Sequence, residues 1–396
     1  MRLRSLAVVV CAFVCIVLLP PTGEAQAVRY RVVPITSPFS ARGPIVGIDM
    51  NKSATLPLTR WIGQRRQPFV WKEGISTPLA LLGGYSGTAW GINSAGHITG
   101  GAFPEGKWKY HAYVYRNGET EDLGTFGGTS ASGMAINRAD QVAGNYIVGG
   151  KSRIFFWNRS GWTDIGGLGG SSGSPWAINN AGTVVGQLDT SNEPDPTFGV
   201  PPFHAFAWQG GTLTDLGTVF GSNFSYGDAV NDAGAVAGSA DTLGDTGARA
   251  VIWHNGTVQD MTPFDNIVSW AADINNKGQV VGAFGNVDDP MFGPPVNVMG
   301  CPCFGTLWQN GEAFFLDELV PPEWSIWLGI AINDNGAILA RGQRNGGRLE
   351  LVLLRPIPGS TVTATRTLSP AALTRSSRSG PRALRRGADR VIHEIE

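Results

Sequence analysis

The stretch Trp176–Gln187, WAINNAGTVVGQ, decides the fold. Apolar residues fill its two ends, and Asn179-Asn180-Ala181-Gly182 between them reads as a tight turn. An asparagine side chain can close such a turn on the backbone, and glycine accepts the positive φ that it needs. The phrase occurs seven times: MNKSATL begins at Met50, INSAGHITG at Ile92, INRADQVAG at Ile136 and INNAGTVVG at Ile178, followed by VNDAGAVAG at Val230, INNKGQVVG at Ile274 and INDNGAILA at Ile332. Their asparagines, Asn51, Asn93, Asn137, Asn179, Asn231, Asn275 and Asn333, recur at a near-constant step. Only the steps from Asn179 to Asn231 and from Asn275 to Asn333 are clearly longer. Such spacing marks a repeat array with loop insertions.

Each period reads as four short strands. Strand a ends in A-I-N and strand b is the V-V-G run. Strand c is HAFAW (His204–Trp208), with relatives HAYVY (His111–Tyr115), RIFFW (Arg153–Trp157) and RAVIW (Arg249–Trp253). After an Asn-Gly or Gly-Gly turn, strand d carries D-L-G, as at Asp122–Gly124 and Asp215–Gly217. No sustained 3.6-residue apolar period occurs beyond the first residues of the chain, so the fold class expected is all-β. Four strands per period make the blade of a β-propeller, and seven phrases predict seven four-stranded antiparallel blades. The last phrase lacks a strand d of its own. Val28–Ile35 (VRYRVVPI) alternates Arg29 and Arg31 with Tyr30 and Val32, and is expected to supply that strand and leave no open edge. A six-bladed ring is the alternative, because Met50–Pro57 matches the phrase poorly.

These residues resemble the HAF-repeat proteins, named for the His-Ala-Phe of strand c. His204-Ala205-Phe206, the D-L-G ends and the INxxGxVVG phrase stand here in the family's order, and the resemblance covers Val28–Pro356. It implies an exported bacterial protein and brings no catalytic set with it. Many relatives end in a sorting tail with an apolar span and a basic end; this chain has the arginines without the span.

The two ends carry their own signals. Arg2 and Arg4 precede an unbroken apolar run, Leu6–Leu19, and Ala25-Gln26-Ala27 offers small residues to a signal peptidase. Spanning a bilayer takes roughly 20 residues, so residues 1–27 are expected to be a cleaved signal peptide, with no membrane span remaining after cleavage. The expected location is secreted, periplasmic or at the cell surface. Residues 28–356 are expected to form the propeller, and 357–396, with 7 Arg against 3 acidic residues, a disordered basic tail. The whole chain balances 30 Lys+Arg against 31 Asp+Glu, which argues against a nucleic-acid partner.

In an up-and-down blade the a–b and c–d turns share one face, and the b–c and d–a connections share the other. The second set holds the variable lengths, including insertions at Leu188–Phe203 and Ala283–Cys303 that share the phrases DPTFGVPP and DPMFGPP. Variable loops on a rigid frame are where binding usually sits. Phe198 and Phe292, stiffened by flanking prolines, are candidate contacts, as is Trp108 between Lys107 and Lys109. Strand c starts on the same face with His111, Arg153, His204 and Arg249. Each is followed, at one fixed offset, by an aspartate: Asp122, Asp164, Asp215 and Asp260. That offset places each pair together across a hairpin, either as a repeated structural ion pair or as part of an anion- or sugar-contacting ring. Trp71, Trp157, Trp208, Trp253 and Trp308 hold equivalent places in strand c and are expected in the core.

Catalytic and cofactor motifs are not found. No HExxH, Cys-plus-His spacing or G-x-S-x-G elbow occurs, Gly144–Ser152 is one residue too long for a phosphate loop, and Cys301-Pro302-Cys303 alone makes no zinc site. No metal and no cofactor are expected. The function expected is a non-catalytic binding or interaction scaffold, a monomer using the b–c/d–a face for an extracellular polysaccharide or protein. Two alternatives are a lyase or hydrolase at the central channel, with Asp228 and Asp273 its candidate residues, and a purely structural envelope component.

Overall fold

The computed structural model describes residues 26–38, 45–196, 199–219, 221–242, 247–262, 267–286 and 303–363. Residues 1–25 of the expected leader, the tail from residue 364, Phe198, Phe292 and Cys301 lie outside the described residues. The fold is all-β. Each repeat phrase organises one set of four antiparallel strands, here numbered units 1 to 7 in chain order. Unit 4 shows the pattern: strand a is Gly173–Ile178, strand b Val184–Asp189, strand c Phe203–Gln209 and strand d Thr212–Gly217. One helical turn, Leu316–Leu319, lies between units 6 and 7; it is too short to show a helical period in the sequence.

Strand a carries a bulge that the sequence pattern did not reveal. In unit 4 the a–b register runs from Pro175↔Gly186 to Ala177↔Val185 and leaves Trp176 as the extra residue. Equivalent shifts leave out Met134 in unit 3 and Asp228 in unit 5. A bulge re-aims a side chain, and here it brings the strands so close that the last residue of V-V-G has to be glycine. A Cβ on Gly186 would lie 2.0 Å from the Ser174 carbonyl oxygen, and one on Gly238 1.9 Å from that of Tyr226.

The core lies between neighbouring sheets, not within one. Ile154 and Phe156 of unit 3 pack on Phe206 and Trp208 of unit 4, and Val251 and Trp253 of unit 5 on Val185 and Ala205 of unit 4. The same arrangement joins the last unit to the first, where Leu339, Leu351 and Leu353 meet Leu56, Leu58 and Trp71. Trp71, Trp208, Trp253 and Trp308 are buried as expected, and Trp157 is half-buried against the junction of units 2 and 3. Each such side chain contributes about 1.5–3 kcal/mol through burial.

The repeated asparagine ties these sheets together. In unit 4 the Asn179 Oδ1 accepts from the amides of Ala181 and Thr183 at 3.1 and 2.9 Å, which closes the turn. Its Nδ2 points the other way and donates to the Asn231 carbonyl of the next unit at 3.0 Å. The same bond runs from Asn51 to Asn93, Asn93 to Asn137 and Asn137 to Asn179. It continues from Asn231 to Asn275 and from Asn275 to Asn333. Asn333 then donates to the Asn51 carbonyl at 3.1 Å, so the bonds form a cycle. All seven side chains are buried. The turn glycine at φ +81 in Gly182 is replaced by Ala54 and Asp140, which hold φ of 55 and 60. Asp140 offsets that strain with bonds from Asn93 Nδ2, His97 Nδ1 and Arg159.

The first described strand, Gln26–Pro34, is the fourth member of unit 7 and pairs antiparallel with Glu350–Thr363. Tyr30 is buried while Arg29 and Arg31 are exposed, in line with the expected alternation. The pair extends past both expected boundaries, Val28 and Pro356, because Gln26 faces Thr363. Pro358-Gly359 reads as a strand breaker, yet the register shifts between Val28 and Tyr30 and absorbs it as a bulge. Gly359 takes φ +72 there, and the Arg29 amide donates to Ser360 Oγ. Residues 357–363 are therefore sheet and not tail.

An aspartate cannot reproduce the asparagine cycle, because it offers the next carbonyl no donor. Asn179→Asp is expected to lower stability by about 2 kcal/mol or more, read as a fall in Tm. Asn180→Asp, one residue on and exposed, is expected to change it far less.

Candidate functional site

Among the described residues the b–c and d–a connections lie on one face, as the antiparallel order a, b, c, d requires. The four residues expected to start strand c on that face all meet their aspartates. His111 Nδ1 lies 2.8 Å from Asp122, Arg153 2.7 Å from Asp164, His204 2.9 Å from Asp215 and Arg249 3.0 Å from Asp260. Each carboxylate also accepts the backbone amide two residues on, from Gly124, Gly166, Gly217 and Thr262 respectively. The aspartate of D-L-G therefore both turns the end of strand d and holds the head of strand c. These side chains are committed within their own units, and exposed pairs of this kind contribute at most about 1 kcal/mol each.

Trp108 sits differently. It is 88% exposed in the b–c connection of unit 2, beyond the strand that ends at Pro104. The two stems of that connection carry rings that sequence reading missed. Phe103 stacks on Tyr85 with centroids 4.9 Å apart and meets Tyr110 edge-on at 5.0 Å. Tyr85 is itself 49% exposed. On the neighbouring hairpin of unit 1 the Arg66 guanidinium lies over the Trp61 ring at 4.7 Å, and its charge reaches the Tyr110 hydroxyl. Tyr85, Phe103 and Tyr110 thus form an aromatic shelf in unit 2, which Arg66 links to Trp61 of unit 1, and the exposed Trp108 belongs to the connection between its stems. The signal was present as aromatic residues near b–c hairpins, but Tyr85 and Phe103 fall outside the repeated phrases. Two other candidates, Phe198 and Phe292, lie outside the described residues.

Charge is divided across this face. The b–c hairpins of units 1 to 3 carry Arg65, Arg66, Lys107, Lys109 and Lys151 against Glu105. The long b–c connections of units 4 and 6, residues 190–202 and 287–303, contain no Lys or Arg. Unit 4 instead presents Asp189, Glu193 and Asp195.

The opposite end of the channel holds a cavity of about 370 Å³ among the a–b turns, lined in part by Met134, Trp176, Asp49, Asp228 and Asp273. Asp49 and Asp273 occupy the same place in their phrases, two residues before the asparagine. Asp49 bridges the amides of Met50 and Ile92, and Asp273 those of Ile274 and Ile332, so each spans two units. Sequence reading singled out Asp228 and Asp273 and missed Asp49, although aligning DMN with DIN would have found it. Desolvation pushes Asp49 up to about 6 against the pull of its two amides. Desolvation alone pushes Asp228 up to about 7. Desolvation, with Asp49 and Asp334 adding to it against two amides, pushes Asp273 up to about 7. No group of three or more metal-ligating side chains occurs among the described residues. No helix of the described residues is long and apolar enough to cross a membrane.

These shifts fix how stability varies with pH. A carboxyl raised above its unfolded value near ~3.9 stabilises the fold while protonated, and that contribution is lost as pH rises through 6 to 7. Asp140 and Asp164 shift the other way. Desolvation raises each, but His97, Arg159 and Asn93 around Asp140 outweigh it, as do the Gly166 amide, Tyr146 and Arg153 around Asp164. Their contribution is lost as pH falls below about 4. Because the unfolded carboxyls ionise from about pH 4, Tm is expected to peak at about pH 4 and to decline from there to about pH 7. Asp228→Asn is expected to shallow the decline on the alkaline side; a Tm that climbs from pH 5 to 8 would contradict the assignment.

No protein-family model matches the chain, and no curated protein matches it. Among solved structures it is similar to the β-propeller domain of the trilobed protease from Pyrococcus furiosus, described there as having an open velcro topology. The TM-score is 0.52 at 11% identity, over 85% of this chain and 96% of that one. It is also similar to virginiamycin B lyase from Staphylococcus aureus (TM-score 0.47, 11% identity, 85% and 99% covered) and to YCF48 bound to D1 peptide (0.46, 11%, 86% and 97%). At such identity the likeness concerns architecture alone. The likeness to the protease domain, together with the four-stranded antiparallel sheets, makes the fold of this chain a β-propeller.

Proposed function

We propose that the chain is a seven-bladed propeller closed by its N-terminal strand, an exported member of the HAF-repeat kind, and a non-catalytic scaffold that binds polysaccharide on its b–c/d–a face. The blade count and the closure are supported by the asparagine cycle, by the packing of unit 7 on unit 1 and by the pairing of Gln26–Pro34 with Glu350–Thr363. The HAF phrase at His204–Phe206 with its strand c relatives, the D-L-G ends and the INxxGxVVG phrase support the family and, with the leader-like first residues, the export.

One observation carries the binding reading: Trp108 stands 88% exposed in the connection whose stems carry the Tyr85–Phe103–Tyr110 row. Large exposed rings on a rigid frame present apolar area at low entropic cost, and the flat face of a pyranose is the complementary surface. His111, Arg153, His204 and Arg249 serve in this reading as the brace of the loop face and not as ligand contacts. The Asp228 and Asp273 carboxyls favour a second reading, an enzyme acting at the channel.

Trp108→Ala combined with Tyr85→Ala is expected to weaken retention on a polysaccharide panel by roughly tenfold or more with Tm unchanged, since both rings are exposed. Unchanged retention would sink the binding reading. Asp228→Ala with Asp273→Ala separates the second reading, which requires loss of a measured activity while the fold persists. For the closure, deleting residues 26–34 is expected to lower Tm and to expose the Glu350–Thr363 edge to self-association, seen by light scattering.

A further inference from the structure

We infer that the ligand of this face is a linear polyanionic polysaccharide laid across the b–c hairpins of units 1 to 3, an inference that rests on the binding reading above. The chain as a whole carries nearly equal numbers of basic and acidic residues, yet these three successive hairpins gather Arg65, Arg66, Lys107, Lys109 and Lys151 around the aromatic shelf, with Glu105 the single carboxylate. Arg65, Lys107, Lys109 and Lys151 are exposed, and none of the four forms an ion pair among the described residues. The pattern of commitment differs one step along the same face: Arg153, where strand c of unit 3 begins, is held by Asp164. The cations without an ion pair thus follow the outer hairpins, where Lys109 Nζ donates to the Gly128 carbonyl and the charge of Lys151 reaches Asp189, whereas Arg153 at the blade edge is held by Asp164.

The arrangement of those cations selects the occupant. A flat anionic membrane would meet the whole face and be repelled by Asp189, Glu193 and Asp195 of unit 4. A chain one sugar wide can lie on units 1 to 3 and avoid them. The d–a connections beside the path, residues 79–82 and 125–129, carry no charge, and Asp122 and Asp164 on the same face are bound by His111 and Arg153. The shelf supplies rings for the sugar faces and the hairpins supply cations for the acidic groups, so one ligand with both features satisfies both halves of the site.

The test compares polygalacturonate with its fully methyl-esterified form, which keeps the backbone and removes the charge, using the full chain in a binding assay at low and high salt. Polygalacturonate is expected to bind at least roughly tenfold more tightly than the ester and to weaken by a similar factor as salt rises. The triple variant Lys107→Ala/Lys109→Ala/Lys151→Ala is expected to lose most of that preference while keeping its Tm and its binding to the ester. Equal, salt-insensitive binding of both polymers would overturn the charge inference and leave the polysaccharide reading intact. Failure of both polymers, together with failure of neutral glycans, would overturn both. Equal binding of poly-glutamate, or of vesicles containing anionic phospholipid, would overturn the choice of polysaccharide.

Discussion

A buried asparagine amide has two ends, and this architecture depends on using both. Its oxygen closes the turn within one unit, and its nitrogen fastens the next unit at its carbonyl. Neither glutamine, which is one methylene longer, nor aspartate, which has no donor, satisfies both partners in the same space. Seven such side chains linked head to tail leave no unit whose turn is set independently of its neighbours. Because the amides are buried, an unmade bond would carry its full desolvation penalty, and the cycle enforces its own completeness. The apolar packing between units is non-directional and supplies most of the free energy, and the amide bonds add a directional tie at each junction.

Much of this was legible because it repeats. The turn, the glycine that closes it, the strand c tryptophans and the constant His/Arg–Asp offset each occur often enough to be read from spacing alone. What could not be read follows from geometry that spacing does not encode. The nitrogen of each asparagine reaches a whole repeat ahead, and a local pattern says nothing about such a partner. The bulge that turns Asp228 and Trp176 toward the channel shifts the register of strand a without changing its composition. Tyr85 and Phe103 lie in the least regular part of the chain, where alignment with the other units gives no guide. Pro358-Gly359 looked like a terminator because a strand that bulges around both residues is rare.

The two ends of the channel have opposite characters. On the a–b side the loops are short and uniform, and polar groups turn inward, where Asp49, Asp228 and Asp273 are held near neutrality. On the b–c side lengths vary, rings face outward and charge separates into a basic and an acidic sector. The His/Arg–Asp pairs stand between these regimes. They hold Arg153 and Arg249 at the blade edges, while Arg65, Lys107, Lys109 and Lys151 at the hairpin tips form no ion pair among the described residues.

Gln26 faces Thr363 across the pair that joins the chain's beginning to its last strand. The first and last described residues of this sheet therefore share one rung. Tension applied between them would not shear the ladder as a whole; it would peel it from that rung inward, one bond after another, until the bulge at Arg29 and Ser360. The tab of this zip lies at Gln26 and Thr363. A load borne between those two residues would find the weakest direction of the pair, whereas a load borne on one of them alone would leave the ladder untouched.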